Sequence, residues 1–438
     1  MLGSEAMAQD LYARRREKVL QALEDGVLLL RNPEEQPLGR FRPNPYLYYL
    51  TGCREPGAWA LLAPQHPKHR FVLFVRPRDP EREVWDGPRL GPRGVKRRLG
   101  ADAAYPLEEL EQHIGEYLRT AKRLYVPLGQ DEVLEQRALG WLRQAIAWRH
   151  QEGRGPRALE DARELLDEMR LVKEPEEVAL MREAMAISMA GIRAAMEAVR
   201  PGMYEYELEA LVESEFRRRG ADGPAFPSIV AAGANATILH YRTNAARIRR
   251  GDLVVLDAGA CYGGYTADIT RTFPASGRWT KQQALLYDIV LEAQRRAIAA
   301  IRPGAPMEAM HEAAVEALVE GLLEVGLLQG RKRTLIRRQA YRRFYMHQSG
   351  HPLGLEVHDV GSRKKEGEPR PFVAGMVLTV EPGLYISARE REVAKEWRGI
   401  GIRIEDDVLV TEEGAEVLTA ALPKTREEMA RLQGSRVG

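Results

Sequence analysis

The stretch from Val254 to Phe273, VVLDAGACYGGYTADITRTF, carries two acidic residues, Asp257 and Asp268, on either side of a Gly-Gly turn. Apolar and β-branched residues run up to that turn and away from it, the pattern of a β-hairpin. A turn centred on Tyr262-Gly263 sets the two carboxylates directly opposite each other, with Cβ atoms about 5 Å apart on one face. Like charges so placed repel, and Val255, Leu256, Ile269 and Phe273 desolvate them further, so the pair needs a compensating cation. A metal site answers that need. The same pattern also suits two exposed aspartates beside an ordinary turn, and the hairpin alone leaves both open.

Other parts of the chain favour the metal. His347, His351 and His358 crowd into MHQSGHPLGLEVHDVG, three of the nine histidines in the protein. Imidazole is the commonest metal ligand and the usual proton carrier near neutral pH. Glu381 ends an apolar run in GMVLTVEPGLYI, where Pro382-Gly383 reads as a strand stop. Gly251 leads by six residues to Asp257, as Gly375 does to Glu381. In GIGIRIEDDVLV, strand alternation puts Ile400, Ile402, Ile404 and Asp406 on one face and Gly401, Arg403 and Glu405 on the other. That polar face suits either solvent or a guanidinium steering a ligating carboxylate.

A duplication points the same way. A helix, an Arg-Pro-Gly break and a second amphipathic helix occur around Arg200 and again around Arg302. Each set precedes strands that carry an acid, which predicts two related halves meeting face to face. Chance similarity between Ala/Glu/Leu-rich helices is the alternative.

The segments ILHYRTN, LDAGACYGGYTADITRTFP, HQSGHPLGLEVHDVG, LTVEPGLYI and WRGIGIRIEDD occur in that order between about Leu171 and Val410. That region resembles the pita-bread metallopeptidases, and in detail it looks most like aminopeptidase P, the Xaa-Pro aminopeptidases. FRPNPYLYYLTG and VWDGPRLG are similar, more loosely, to the amino-terminal domain of the same family. The resemblance implies an α/β (α+β) chain: an N-terminal mixed α/β domain, residues 1–172, then a pita-bread catalytic domain with pseudo-twofold halves, residues 173–438. It implies two divalent ions held by Asp257, Asp268, His351, Glu381 and Glu405. It also places His240 and His358 against the substrate and the developing oxyanion, has Glu381 pass protons, and adds His347 and Arg403 to the pocket. A strand packing role is the plainer alternative for His240.

Four carboxylates and one imidazole form a hard, oxygen-rich set that suits manganese, with cobalt, zinc or iron as alternatives. Paired ions about 3.5–4 Å apart can make a bridging hydroxide near neutral pH. The implied reaction is its attack on the bond between an N-terminal residue and a penultimate proline. Prolidase, which has the same ligands and splits only dipeptides, is the nearest alternative. A metal-free hydrolase like creatinase, or a binding protein that keeps the shell, would show substituted acids at the five positions, and none is substituted here.

Composition bounds the rest. A chain of 438 residues exceeds one core, so two domains are expected. Lys plus Arg is 65 and Asp plus Glu is 63, interspersed, so no nucleic-acid partner is implied. The basic clusters Arg14 to Lys18 and Arg337 to Arg343 read as solvated helix faces. Cys53 and Cys261 are too few for a disulfide framework, which favours a reducing cytoplasm. No apolar run is long enough to span a membrane, and MLGSEAMAQD lacks the basic start and apolar core of a signal peptide. The expected partners are peptides with proline second. By resemblance the N-terminal domain limits access to short or unstructured substrates and builds a homo-oligomer, dimer or tetramer, with Trp85 a candidate to reach a neighbouring active site.

Overall fold

The computed structural model describes residues 2–35 and 40–434. The chain divides into two compact units, Met1–Arg170 and Leu171–Gly438, where the sequence suggests a boundary between residues 172 and 173.

In the first unit, short apolar runs bounded by Gly and Pro form a six-stranded sheet of β1 (Gly26–Arg31), β2 (Trp59–Leu62), β3 (Phe71–Val75), β4 (Ala103–Pro106), β5 (Arg123–Val126) and β6 (Ala158–Asp161). Their spatial order is β4-β3-β2-β1-β5-β6. β1 to β3 run antiparallel, and β4, β5 and β6 add in parallel at the two sides. Helices Leu110–Leu118 and Glu132–Glu152 cover one face, burying Leu110, Ile114, Leu134 and Trp141 against Val27, Leu29 and Trp59. One segment departs from expectation. LYYLTGC reads as a strand from its aromatics, yet Pro45–Thr51 is a helix. Asn44 caps it, accepting from the Tyr46 and Leu47 amides, Pro45 occupies the first turn, and Gly52 ends it at φ +66°. Capping chemistry thus overrode strand propensity. Trp85 is 86% exposed on the short helix Pro80–Asp86, so it does not serve the core of its own unit.

The second unit repeats one plan. Helices Pro175–Ala198 and Glu205–Arg218 pack together, as do Lys281–Ala300 and Glu308–Glu324. Each pair turns at a Pro-Gly whose glycine has positive φ, Gly202 at +101° and Gly304 at +82°. Short strands follow the first pair: β7 (Gly223–Pro224), β8 (Ile229–Ala232), β9 (Leu253–Ala258), β10 (Ala260–Tyr262), β11 (Tyr265–Thr266) and β12 (Ile269–Pro274). After the second pair come a small hairpin of β13 (Lys364–Lys365) and β14 (Glu368–Pro369), then β15 (Val377–Val380), β16 (Gly383–Ile386), β17 (Ile400–Arg403), β18 (Asp406–Val410) and β19 (Ala415–Val417). This is the duplicated pita-bread arrangement. The halves meet where the Thr272 hydroxyl donates to the Arg403 carbonyl at 2.8 Å and accepts from its amide at 3.0 Å.

The hairpin register corrects the expected one. Gly263 and Gly264, at φ +58° and +88°, form the two central positions of the turn, because only glycine takes two successive positive φ values cheaply. Tyr262 therefore faces Tyr265 and Asp257 faces Thr270, so the two aspartates are diagonal neighbours and not directly opposed. Asp268 sits between β11 and β12, level with Gly259, where the ladder is interrupted.

The direct opposition occurs in the other half. Val380 pairs with Asp406 and Gly383 with Arg403, which leaves Glu381 and Glu405 at facing positions in a second interruption. The strand before Pro382-Gly383 does end here, at Val380, but the chain stays extended beyond it. Pro382 has no N–H to donate, so the ladder breaks for one step and resumes as β16.

Close backbone approach at the first interruption requires glycine. A Cβ on Gly259 would stand 1.7 Å from the Ala267 carbonyl oxygen. Gly259→Ala is expected to force β9 and β12 apart at the aspartates and to cost at least about 2 kcal/mol in urea unfolding. Wild-type stability in that variant would show that the two segments are not held this closely.

Candidate metal centre

Asp257 lies on β9, the central strand of the β12-β9-β8 sheet, and its Oδ2 accepts from Arg403 Nη2 at 2.6 Å. Asp268 Oδ2 lies 3.5 Å from His351 Nε2, and Glu381 Oε1 lies 3.7 Å from the same nitrogen. Glu405 Oε2 accepts from the Thr270 hydroxyl at 2.6 Å, and Thr270 in turn accepts from Arg403 Nε at 3.1 Å. Ligand atoms of Asp268, His351 and Glu405 all lie within 4.8 Å of one another. Asp257 Oδ1 and Asp268 Oδ1 are buried with no hydrogen-bond partner among the described residues. Arg403 reaches Glu405 only through Thr270, and its ion pair is with Asp257, which corrects the expected Arg403–Glu405 steering contact.

The electrostatics follow from crowding and burial. Burial, with Glu405 and Asp257 close by, drives the Asp268 carboxyl well above its usual range. Burial likewise raises Glu405, with Glu381 and Asp257 adding to it. Glu381 is pushed up to about 8, mainly by burial, although Arg403 pulls the other way. Each shift reports the same thing: the protein alone does not supply enough positive charge to ionise all these acids comfortably.

The histidine loop presents its rings in defined tautomers. His351 Nδ1 lies 3.0 Å from the Pro352 carbonyl, so it carries the proton and leaves the Nε2 lone pair facing Asp268 and Glu381. Burial lowers its pKa to about 4, which keeps that lone pair available. His347 Nδ1 donates to the Gln348 carbonyl at 2.7 Å, and its Nε2 accepts from the Tyr385 hydroxyl at 2.9 Å. Tyr385 accepts in turn from Arg403 Nη1 at 3.1 Å, so His347, Tyr385, Arg403 and Asp257 form one chain. Burial and the nearby Arg403 hold His347 at about 3. His358 is exposed, with its ring edge-on to His351 at 4.3 Å between centroids. His240 is also exposed, in a turn and not in a strand, so its expected alternative as strand packing is wrong.

Several supporting residues carried no clear sequence signal. Arg271 and Asp406 are fully buried and paired at 2.7 Å, and Arg271 Nη1 also donates to the Glu405 carbonyl at 2.6 Å. Burial opposes the Asp406 charge, but Arg271 and Lys424 together hold its carboxyl near about 2. Gln294 Nε2 donates to the Val380 and Ile404 carbonyls freed by the strand interruption, each at 3.2 Å. Glu205, also fully buried, accepts from the Ala232 amide at 2.8 Å, Asn235 Nδ2 at 3.0 Å, the Tyr241 hydroxyl at 2.9 Å and the Ala246 amide at 2.7 Å. All four donors belong to the segment that bears His240.

A sequence profile of metallopeptidase family M24 matches residues 179–412, and one of the aminopeptidase P N-terminal domain matches residues 12–125. This chain belongs to the M24 metallopeptidases. It is 41% identical to an Xaa-Pro aminopeptidase of Escherichia coli strain K12 over 96% of this chain and 97% of that one, and 40% identical to an Xaa-Pro aminopeptidase of Haemophilus influenzae over 90% and 88%. The solved structure of Pseudomonas aeruginosa aminopeptidase PepP superposes with a TM-score of 0.95 at 43% identity, covering 98% of both chains. A variant of Escherichia coli aminopeptidase P in complex with substrate gives 0.92 at 39%, again over 98% of both. As an M24 member with both matching domains, the chain is a metallohydrolase of the Xaa-Pro aminopeptidase group.

Two outcomes test this geometry. Because Asp268 titrates above its unfolded value, its contribution to stability is present at low pH and lost as pH rises. Asp268→Asn should therefore melt higher than the parent in metal-free buffer above about pH 7, with the gap closing on acidification; a gap that widens in acid would contradict the crowding. Glu205→Gln should lower kcat on the order of tenfold by releasing the His240 segment. In a His240→Ala background the same change should have little further effect, and fully additive losses would show that Glu205 does not act through that segment.

Proposed function

We propose that this chain removes the N-terminal residue from peptides with proline second, using two divalent ions held by Asp257, Asp268, His351, Glu381 and Glu405. The observation that carries the reading is the gathering of Asp268, His351 and Glu405 ligand atoms within 4.8 Å of one another, with Asp257 and Asp268 each keeping a buried oxygen that no described residue satisfies. The set is rich in hard oxygen, which favours manganese over cobalt or zinc. When bound, such ions supply Lewis acidity and make water a stronger nucleophile near neutral pH.

The chain's own residues do the rest. Glu381, whose carboxylate reaches toward both His351 and His347, takes a proton from the attacking water and delivers it to the leaving nitrogen. Proline makes that delivery essential, because its amide nitrogen carries no hydrogen and must be protonated as the bond breaks. His358 and His240 donate to the substrate carbonyl as charge develops on its oxygen, a contribution worth on the order of 10²-fold or more in turnover. Arg403 pairs with Asp257 and fixes Tyr385, which orients the neutral His347 at the pocket wall.

The relatives named as Xaa-Pro aminopeptidases and the Escherichia coli aminopeptidase P bound to the inhibitor Pro-Leu support peptide substrates. A cytoplasmic location and a homo-oligomeric assembly, dimer or tetramer, belong to the same proposal, motivated by two free buried cysteines and the exposed Trp85. No helix among the described residues is long and apolar enough to cross a membrane.

After manganese loading, the purified protein is expected to retain about two ions per chain and to cleave Xaa-Pro-Yaa tripeptides. Cleavage confined to Xaa-Pro dipeptides would make it a prolidase instead. Less than one ion per chain by elemental analysis would remove the metal mechanism altogether.

A further inference from the structure

Seven of the thirteen residues from Arg331 to Arg343 are Lys or Arg, with no acid among them. Two of the seven are neutralised: Lys332 by Glu320 at 2.7 Å, and Arg343 by Glu390 and Glu392, each at 2.9 Å. Arg331, Arg333, Arg337, Arg338 and Arg342 are exposed and make no ion pair with a described residue. Their placement works against local stability. Arg331 caps the short helix Lys332–Arg337, and Lys332 and Arg333 occupy its first turn, where the backbone amides already present positive charge and no acid is found. Arg333 and Arg337 stand four apart on that helix, a spacing at which like charges repel. Gln339 then adopts a left-handed φ of +53°. The segment is anchored by Leu335, Ile336 and Tyr341 against the core, yet five of its guanidinium groups meet no acid among the described residues, which points to an anionic partner outside it.

The strip abuts the histidine wall of the site. It runs directly into Phe344, Tyr345 and His347, and the Tyr345 ring packs edge-on to His347 at 4.8 Å. Arg342 is near enough for its charge to act on His311, whose Nδ1 lies 2.9 Å from Ser349 Oγ between His347 and His351.

We propose that this arginine strip binds and steers acidic residues downstream of the scissile proline, so that peptides with anionic tails are the preferred substrate class. Unpaired guanidinium groups beside a binding site raise the local concentration of an anionic ligand and accelerate its capture in a salt-dependent way. The inference rests on the peptidase reading above, and its test separates the two.

Manganese-loaded protein would be assayed on Ala-Pro followed by a run of glutamates and on the glutamine counterpart. The acidic peptide is expected to show about tenfold higher kcat/KM at low salt, falling toward parity at high salt. In the triple variant Arg337→Ser, Arg338→Ser, Arg342→Ser that ratio should fall close to one. In parallel, fluorescence anisotropy would follow binding of a labelled product-like peptide, proline followed by glutamates, to parent and variant. Strip-dependent binding without cleavage of either substrate would sink the peptidase reading and keep the strip. Equal ratios and equal binding in parent and variant would overturn the strip, as would tighter strip-dependent binding of a labelled RNA oligonucleotide than of the acidic peptide.

Discussion

Mutual repulsion among buried carboxylates governs the second unit of this protein. Asp257, Asp268 and Glu405 are each less than a tenth exposed, and Glu381 lies between them and the histidine loop. The positive charge that the polypeptide provides nearby is committed in detail. Arg403 serves Asp257, while Arg271 and Lys424 serve Asp406, which lies behind the cluster and not in it. Asp268, Glu381 and Glu405 have no cation of their own in direct contact among these pairs, and their raised pKa values are the consequence. Divalent cations are the economical physical solution, since one ion neutralises two carboxylates without needing a side chain's length of buried methylene.

Both halves reach this arrangement by the same structural device. In each half acids sit where an antiparallel ladder is interrupted, Asp268 level with Gly259 in one and the facing Glu381 and Glu405 in the other, while Asp257 lies on the unbroken strand β9. An unbroken ladder would turn alternate side chains to opposite faces and saturate the backbone with hydrogen bonds. The interruption frees carbonyls that must then be satisfied, which explains why a fully buried glutamine, Gln294, bonds to Val380 and Ile404. Arg271 performs the matching task from the other side, binding the Glu405 carbonyl and the Asp406 carboxylate together. The ligating positions are thereby held by backbone and not only by rotamer preference.

Polar chains radiate from this centre toward the surface. Asp257, Arg403, Tyr385 and His347 are linked donor to acceptor, and burial keeps both His347 and His351 neutral. The exposed histidines, His240 and His358, differ in kind: they hold no buried bond of their own, and the first depends on Glu205 for the shape of its segment. Chemistry that must meet a substrate is therefore carried by side chains at the rim, while the rigid interior sets charge.

How much of this was legible without coordinates depended on the range of each interaction. The acids, the histidine loop, the helix-break-helix repeats and the family were readable, because hydrophobic alternation, Gly/Pro punctuation and ordered motifs are local properties of the chain. The turn register was not, since an expected centre at Tyr262-Gly263 competes with one at Gly263-Gly264, and only two positive φ angles settle it. LYYLTGC is an exception, since its helix signals are local, the Asn44 cap, Pro45 and Gly52, and the strand propensity of its aromatics masked them. The roles of Glu205, Arg271, Gln294 and Asp406 were invisible for a different reason: the first three act on backbone more than twenty residues away, and Asp406 pairs with the distant Arg271 side chain. The sequence by itself determined which residues bring charge and chemistry to the site. Tertiary structure alone decided which of them face one another, because long-range pairing register sets the direction of every side chain in a strand.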